Sequence, residues 1–268
     1  MAGRGTDVRR QPGFGLIAGL CLTILYAPIL VLVIFAFNAN SIVSIWTGVS
    51  LDWFAKALDN EGFHQAATNT MIVSITATII ATMAATAAAL GTTRVRSWRG
   101  QSAAYMTISL PLMVPEIITA VATLSFFALV ASVFGINLGL GNLIVAHTVF
   151  CIPFAYMPIR ARLEDMDLTL DHAAADLYAT PWMTFRRVTL PLLAPGIVSG
   201  AALAFIVSFD DFTISQLVAG PGQQTLPVFI WSMTRRPMTP ELNAMCAILL
   251  GISILFISFS ALIGQRRR

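Results

Sequence analysis

Six apolar stretches, each about twenty residues or more, constrain this chain more than anything else in it. They run from Phe14 to Phe37, Thr70 to Leu90, Ala104 to Val130, Leu140 to Ile159, Pro195 to Val218 and Leu242 to Ile263. About twenty apolar residues in a helix cross the roughly 30 Å hydrocarbon core of a bilayer. Only 11% of the residues are charged, against about a quarter in a soluble domain, so a single water-facing globule is excluded. Outer-membrane barrels alternate polar and apolar residues over strands of about ten, and no such alternation is present. The expectation is an all-α fold: a polytopic membrane bundle of six transmembrane helices forming a single transmembrane domain over residues 1–268. The first run exceeds the 7 to 15 residue core of a signal peptide and no convincing cleavage site follows it, so it is kept as a span.

Thirteen of the sixteen basic residues fall on one side if the N-terminus is cytoplasmic: Arg4, Arg9, Arg10, Arg94, Arg96, Arg99, Arg160, Arg162, Arg186, Arg187 and Arg266 to Arg268. Only Lys56, Arg235 and Arg236 remain outside. This bias predicts both termini inside. On the outer side, Ser50 reads as the N-cap of a short interfacial helix, and Thr239-Pro240-Glu241 as the start of the last span. Cys21, Cys151 and Cys246 lie far apart inside apolar runs and read as reduced, buried thiols. His64, His147 and His172 show no metal-ligand spacing.

No nucleotide site is visible. A phosphate-binding P-loop ends in Gly-Lys-Ser/Thr, and the single lysine, Lys56, sits in Trp53-Phe54-Ala55-Lys56-Ala57. The expectation is a chain without enzymatic activity and without a cofactor of its own. The longest inside loop, 160–194, is more informative. Leu170, Ala173, Ala174 and Leu177 make one small apolar stripe at helical spacing, with Asp171, His172 and Asp176 off it. Thr180-Pro181 starts a second short helix that exposes Trp182 and Phe185 before Leu190-Pro191 ends it. Two such helices suit docking into a groove of a soluble partner, the plainer alternative being a helix lying on the membrane.

The segment from Asp171 to Tyr178, followed by Val188-Thr189-Leu190-Pro191-Leu192-Leu193-Ala194-Pro195, resembles the EAA loop of permease subunits in binding-protein-dependent ABC importers. Further similarity runs through Trp46-Thr47-Gly48-Val49-Ser50, Pro115-Glu116-Ile117, His147 to Phe154, Ser208-Phe209-Asp210-Asp211, Gly220-Pro221-Gly222 and Pro240 to Ala244. Together these are similar to the spermidine/putrescine subfamily, and within it to the second, shorter permease subunit. The resemblance implies a type I ABC importer transmembrane fold in a bacterial inner membrane and alternating access driven by other chains. It also implies a set of partners: a second permease subunit, two ATP-binding subunits that carry ATP and Mg, and an extracytoplasmic substrate-binding protein. Polyamine is the implied substrate, membrane lipid surrounds the spans, and no nucleic acid is involved. His172 stands where the family has Glu, and Tyr178 where it has Gly. A tyrosine is strained in the conformation a glycine takes there, so either the turn is built differently or Tyr178 packs into the partner.

Three acids lie well inside the apolar runs: Glu116, Asp210 and Asp211. Acids at membrane depth usually face an interior path. At 1.5 Å per residue, Glu116 lies about 18 Å and Asp210 about 22 Å from the start of their spans. Ala201, Ala204, Ser208, Asp211 and Ser215 share one helical face, which favours Asp211 over Asp210 as a path residue. Glu116 follows Pro115 and serves either the path or the local backbone. Phe209, Phe212 or Trp231 would offer aromatic faces to an ammonium group. His147 reads as a satisfied interior histidine rather than a proton relay. The rival functions are an ABC permease for ferric iron, thiamine or another solute, and an ATP-independent secondary transporter, for which no inverted repeat is visible.

Overall fold

The structure, a computed structural model, describes residues 14–95, 98–167, 169–235 and 239–265. Arg4, Arg9, Arg10, Arg96, Arg236 and Arg266 to Arg268 lie outside the described residues. In chain order the elements are α1 (Phe14–Phe35), α2 (Asp52–Asp59), α3 (Glu61–Thr93), α4 (Gln101–Met113), α5 (Glu116–Phe134), α6 (Leu140–Glu164), α7 (Thr169–Asp176), α8 (Pro181–Thr184), a π turn (Phe185–Thr189), α9 (Leu190–Asp210), α10 (Thr213–Val218), α11 (Leu226–Thr234) and α12 (Pro240–Gln265). Among the described residues, five helical stretches are long and apolar enough to cross a bilayer: Gly15–Phe35, Glu61–Thr93, Glu116–Phe134, Leu140–Glu164 and Pro181–Asp210. The sixth expected span falls within α12, whose apolar part among the described residues is Pro240–Ile252.

The chain divides into two compact units, one of Met1–Phe63 and Ile230–Arg268, the other of His64–Phe229. In the first, α12 packs against α1 and α2. Asn38, fully buried, knots the loop after α1. Its Nδ2 donates to the Ile45 carbonyl at 2.8 Å, and its Oδ1 accepts from the Thr47 and Asn40 amides. Helix α2 begins one residue later than Ser50 alone would set it, yet Ser50 Oγ still accepts the Asp52 amide at 2.9 Å. Asn60 Oδ1 accepts the Phe63 amide at the start of α3, while its Nδ2 donates to Glu241 Oε1 at 2.9 Å.

In the second unit α6 is the central helix, with eleven buried residues including Leu143, His147, Cys151, Ala155 and Ile159. Its largest partner is α9. Gly196 and Gly200, four apart, let the two backbones approach in the way small residues do between membrane helices. A Cβ at Gly200 would stand 2.6 Å from the Ala155 carbonyl oxygen, and one at Gly196 2.7 Å from Arg162 Cβ. Helix α3 buries a face of small residues, with Ser74, Ala81 and Ala85 fully enclosed. Cys21, by contrast, is exposed on α1 rather than buried, because α1 is apolar all round and none of its span window is enclosed by the chain.

Two expected spans are divided. The run 104–130 breaks at Val114 and Pro115, both extended (ψ 133° and 131°). The proline ring disfavours helical geometry in the residue before it, so α4 ends and α5 starts. The run 195–218 breaks at Asp211, where ψ reaches 124°. No proline or glycine marks that break. The expected stop at Leu190-Pro191 is instead a continuation. Pro191 lacks an amide, and the chain widens to a π turn in which the Leu190 amide reaches the Phe185 carbonyl. The helix then carries on through the proline.

Candidate functional site

The two breaks meet in the second unit, since α10 packs against α5 and α6. Asp211 is buried, 6% exposed. Its carboxylate accepts the amides of Ile214 (3.4 Å) and Ser215 (2.9 Å) and so caps α10. His147, 1% exposed, bridges from α6 to both sides of the break. Its Nδ1 lies 2.8 Å from Ser208 Oγ, and its Nε2 lies 3.1 Å from Ser215 Oγ and 3.5 Å from Asp211 Oδ2. A carboxylate at that distance favours the tautomer with the proton on Nε2, which leaves Nδ1 to accept the Ser208 hydroxyl. Both ring nitrogens are therefore partnered, as expected of a satisfied interior histidine.

Glu116 opens α5, is half-buried, and lies close enough to Asp211, Thr213 and His147 to interact with them electrostatically. The single helical face expected from Ala201 to Ser215 is interrupted at Asp211, whose carboxylate holds two backbone amides and faces a histidine. Glu116 is the carboxylate of the pair left half-open. Asp210 is exposed. Ser208 is buried on His147, and Phe209 stacks on Phe205 at 5.7 Å. Trp231, 49% exposed, belongs to the first unit and is not grouped with the acids.

The second candidate region is the loop that follows α6. Helix α7 has no buried residue. Its apolar stripe points out, with Leu170 46% and Leu177 81% exposed. Asp171 turns inward. Its Oδ2 is 3.2 Å from Arg94 Nη1, and its Oδ1 accepts the Thr189 hydroxyl at 3.2 Å. Thr180 caps α8 by accepting the Met183 amide, as its sequence position implies. Trp182 is 69% exposed, whereas Phe185 is half-buried at 5.6 Å from the Trp182 ring. An open recess of about 450 Å³ lies between Leu90, Arg94, Asp171, His172 and Phe185.

Tyr178 is the non-glycine residue with positive φ (59°) among the described residues. Its amide reaches the Ala175 carbonyl (2.9 Å), and the Ala179 amide reaches the Ala174 carbonyl (3.0 Å). These are the two bonds of a Schellman cap, so the turn is the one a glycine would make and not a different one. A tyrosine there bears strain of about 1–2 kcal/mol. The side chain is 97% exposed and recovers nothing within this chain.

Residues 77–267 match the family model described as "Binding-protein-dependent transport system inner membrane component". Putrescine transport system permease protein PotI of Escherichia coli (strain K12) is 35% identical over 246 residues, 91% of this chain and 88% of the relative. Spermidine/putrescine transport system permease protein PotC of Haemophilus influenzae is 34% identical over 242 residues, 90% of this chain and 92% of the relative. In the crystal structure of a bacterial alginate ABC transporter in complex with alginate pentasaccharide-bound periplasmic protein, one chain superposes with a TM-score of 0.71 at 19% identity, covering 94% of both chains. That likeness establishes the fold of an ABC importer membrane subunit. With this fold, and with a family match and relatives that span most of its length, the chain belongs to the binding-protein-dependent transport system inner membrane components.

Proposed function

We propose that this chain is a polyamine permease subunit of an ABC importer, acting as a single membrane domain that forms half of the translocation path. The observation that carries the reading is the meeting of two carboxylates, Glu116 and Asp211, at two interrupted helices. Irregular backbone at membrane depth is tolerated where it is enclosed by protein or lines a water-filled path. Interrupted helices of transporters commonly form ion and substrate sites, with C-terminal ends and free carbonyls turned to cations. No lysine or arginine lies within the six apolar runs to neutralise the pair. An ammonium group arriving there relieves the repulsion between two neighbouring carboxylates, which is a physical basis for preferring a cation over an anion. The names of the relatives, putrescine and spermidine/putrescine permeases, support the same substrate class.

On this reading Glu116 meets the substrate, Asp211 fixes the backbone around it, and Phe209 and Phe212, which flank the two aspartates in sequence, offer aromatic faces. ATP and Mg belong to two partner ATPases, onto which the 160–194 loop docks through Leu170, Ala173, Ala174, Leu177, Tyr178 and Trp182. A second permease subunit completes the path, a soluble binding protein delivers the substrate, and both termini are cytoplasmic. The test is co-purification with the partner subunits followed by substrate-stimulated ATPase and uptake in proteoliposomes, using putrescine, spermidine, ferric iron and thiamine. Stimulation by a polyamine alone supports the reading. Stimulation by another solute alone, or uptake without the ATPases, overturns it.

A further inference from the structure

Helix α7 carries its apolar side chains outward and buries none of them. Something else must hold it to the rest of its unit. Among the described residues, the side-chain hydrogen bonds that tie it to other helices converge on Asp171. One oxygen takes Arg94 from the end of α3, and the other takes Thr189 from the π turn that leads into α9. Arg94 Nη2 also reaches the Leu163 carbonyl, at 3.4 Å, in the last turn of α6. A guanidinium there favourably meets the negative end of the α6 dipole. The pair is substantially enclosed, with side chains 14% and 27% exposed. Charge-assisted bonds in such a setting are stronger than an open surface pair.

We propose that Arg94 and Asp171 are positioning residues of the coupling step, tying α7 to the inner ends of α3 and α6 so that a displacement of α7 reaches those helices as well as α9. Without the pair, α7 stays joined to α9 through α8 and the π turn, but a push on its outward stripe reaches α3 and α6 poorly. The proposal rests on the reading of this chain as an importer subunit driven through α7. It adds a second mechanical route, and it gives a role to an arginine that the sequence presents only as one more basic residue.

The test uses the full complex with its partner subunits in proteoliposomes, comparing wild type with R94Q, D171N, R94K and the charge-swapped R94D/D171R. Uptake per ATP hydrolysed is read on complex that has assembled, which separates coupling from yield. R94Q and D171N are expected to lower that ratio about fivefold to tenfold, the lower end of typical couplings between sites. R94K, which keeps the charge and one donor, is expected to fall between these variants and wild type, and R94D/D171R to recover at least a third of the lost ratio. An unchanged ratio in the single variants overturns the proposal even if complex yield falls, because a merely structural pair would lower yield alone. A swap no better than the singles overturns it too. Failure of wild type to show ATP-dependent uptake overturns the importer reading, and this proposal with it.

Discussion

The polar cluster at the helix breaks and the loop around α7 belong to the same unit and are built in opposite senses. At the breaks, Asp211, His147, Ser208 and Ser215 point inward, and each finds a partner on another element or on its own backbone. Around α7, the polar Asp171 points inward while Leu170, Leu177, Tyr178 and Trp182 are exposed, Trp182 beside the Phe185 ring. Outward apolar residues are ordinary on a membrane span, where lipid covers them. Leu170 and Leu177 instead lie between the membrane-length stretches, on or just past a helix carrying Asp171, His172 and Asp176 and beside a strained tyrosine. If the proposed function holds, the exposed residues there are the docking face, and the enclosed ones at the breaks are structural. Glu116 is the exception inside the first region, being half-open.

Replacing Asp211 tests the enclosed region most severely. Asp211→Ala leaves the Ile214 and Ser215 amides of α10 without a partner, and each buried donor left unsatisfied costs about 1–3 kcal/mol. Thermal unfolding in detergent should shift sharply downward and uptake should vanish, whereas Asp211→Asn should retain part of the cap. If Asp211→Ala unfolds like wild type, the carboxylate is not structural and the contrast drawn here fails.

Gly200→Ala is expected to cost about 1–3 kcal/mol, the range for overpacking. The added carbon meets the Ala155 carbonyl at 2.6 Å, and that backbone cannot step aside. Gly91→Ala, with nothing within 4 Å, is the control, and equal unfolding temperatures for the two would contradict the α6–α9 packing.

Glu116→Gln should leave stability nearly unchanged and lower uptake about tenfold, equivalent to about 1.4 kcal/mol. Unaltered uptake at normal expression would remove the cation path, and a stability loss like that of Asp211→Ala would make Glu116 structural as well.

Tyr178→Gly acts on stability with the opposite sign. Relief of positive φ should stabilise the end of α7 by about 1 kcal/mol, read as slower amide exchange at Tyr178 and Ala179. Substrate-stimulated ATPase should fall if the ring seats in a partner. Faster exchange would contradict the Schellman cap, and unchanged ATPase would remove the docking role.

Much of this was legible in the residues, and the misses have a common cause. Pro115 announces a break that the expected 104–130 span overlooked. The Gly196 and Gly200 spacing likewise signals a close helix contact that went unread. The break at Asp211 carries no such mark, because Asp-Phe-Thr is acceptable within a helix. It opens because α10 starts afresh under the Asp211 cap, with His147 beside it. Asp171 and Arg94 were visible only as a residue off the stripe and a cytoplasmic charge.

Span length, apolarity, turn and cap chemistry were determined by the sequence itself, since each depends on residues within a few positions of one another or on the constant thickness of a bilayer. Which acid stays half-open and which is enclosed was decided by tertiary structure. The reason is distance along the chain. The partners of His147 lie 61 and 68 residues away, and Asp171 meets Arg94 across 77. No local pattern encodes such meetings, because they exist only once the helices have packed.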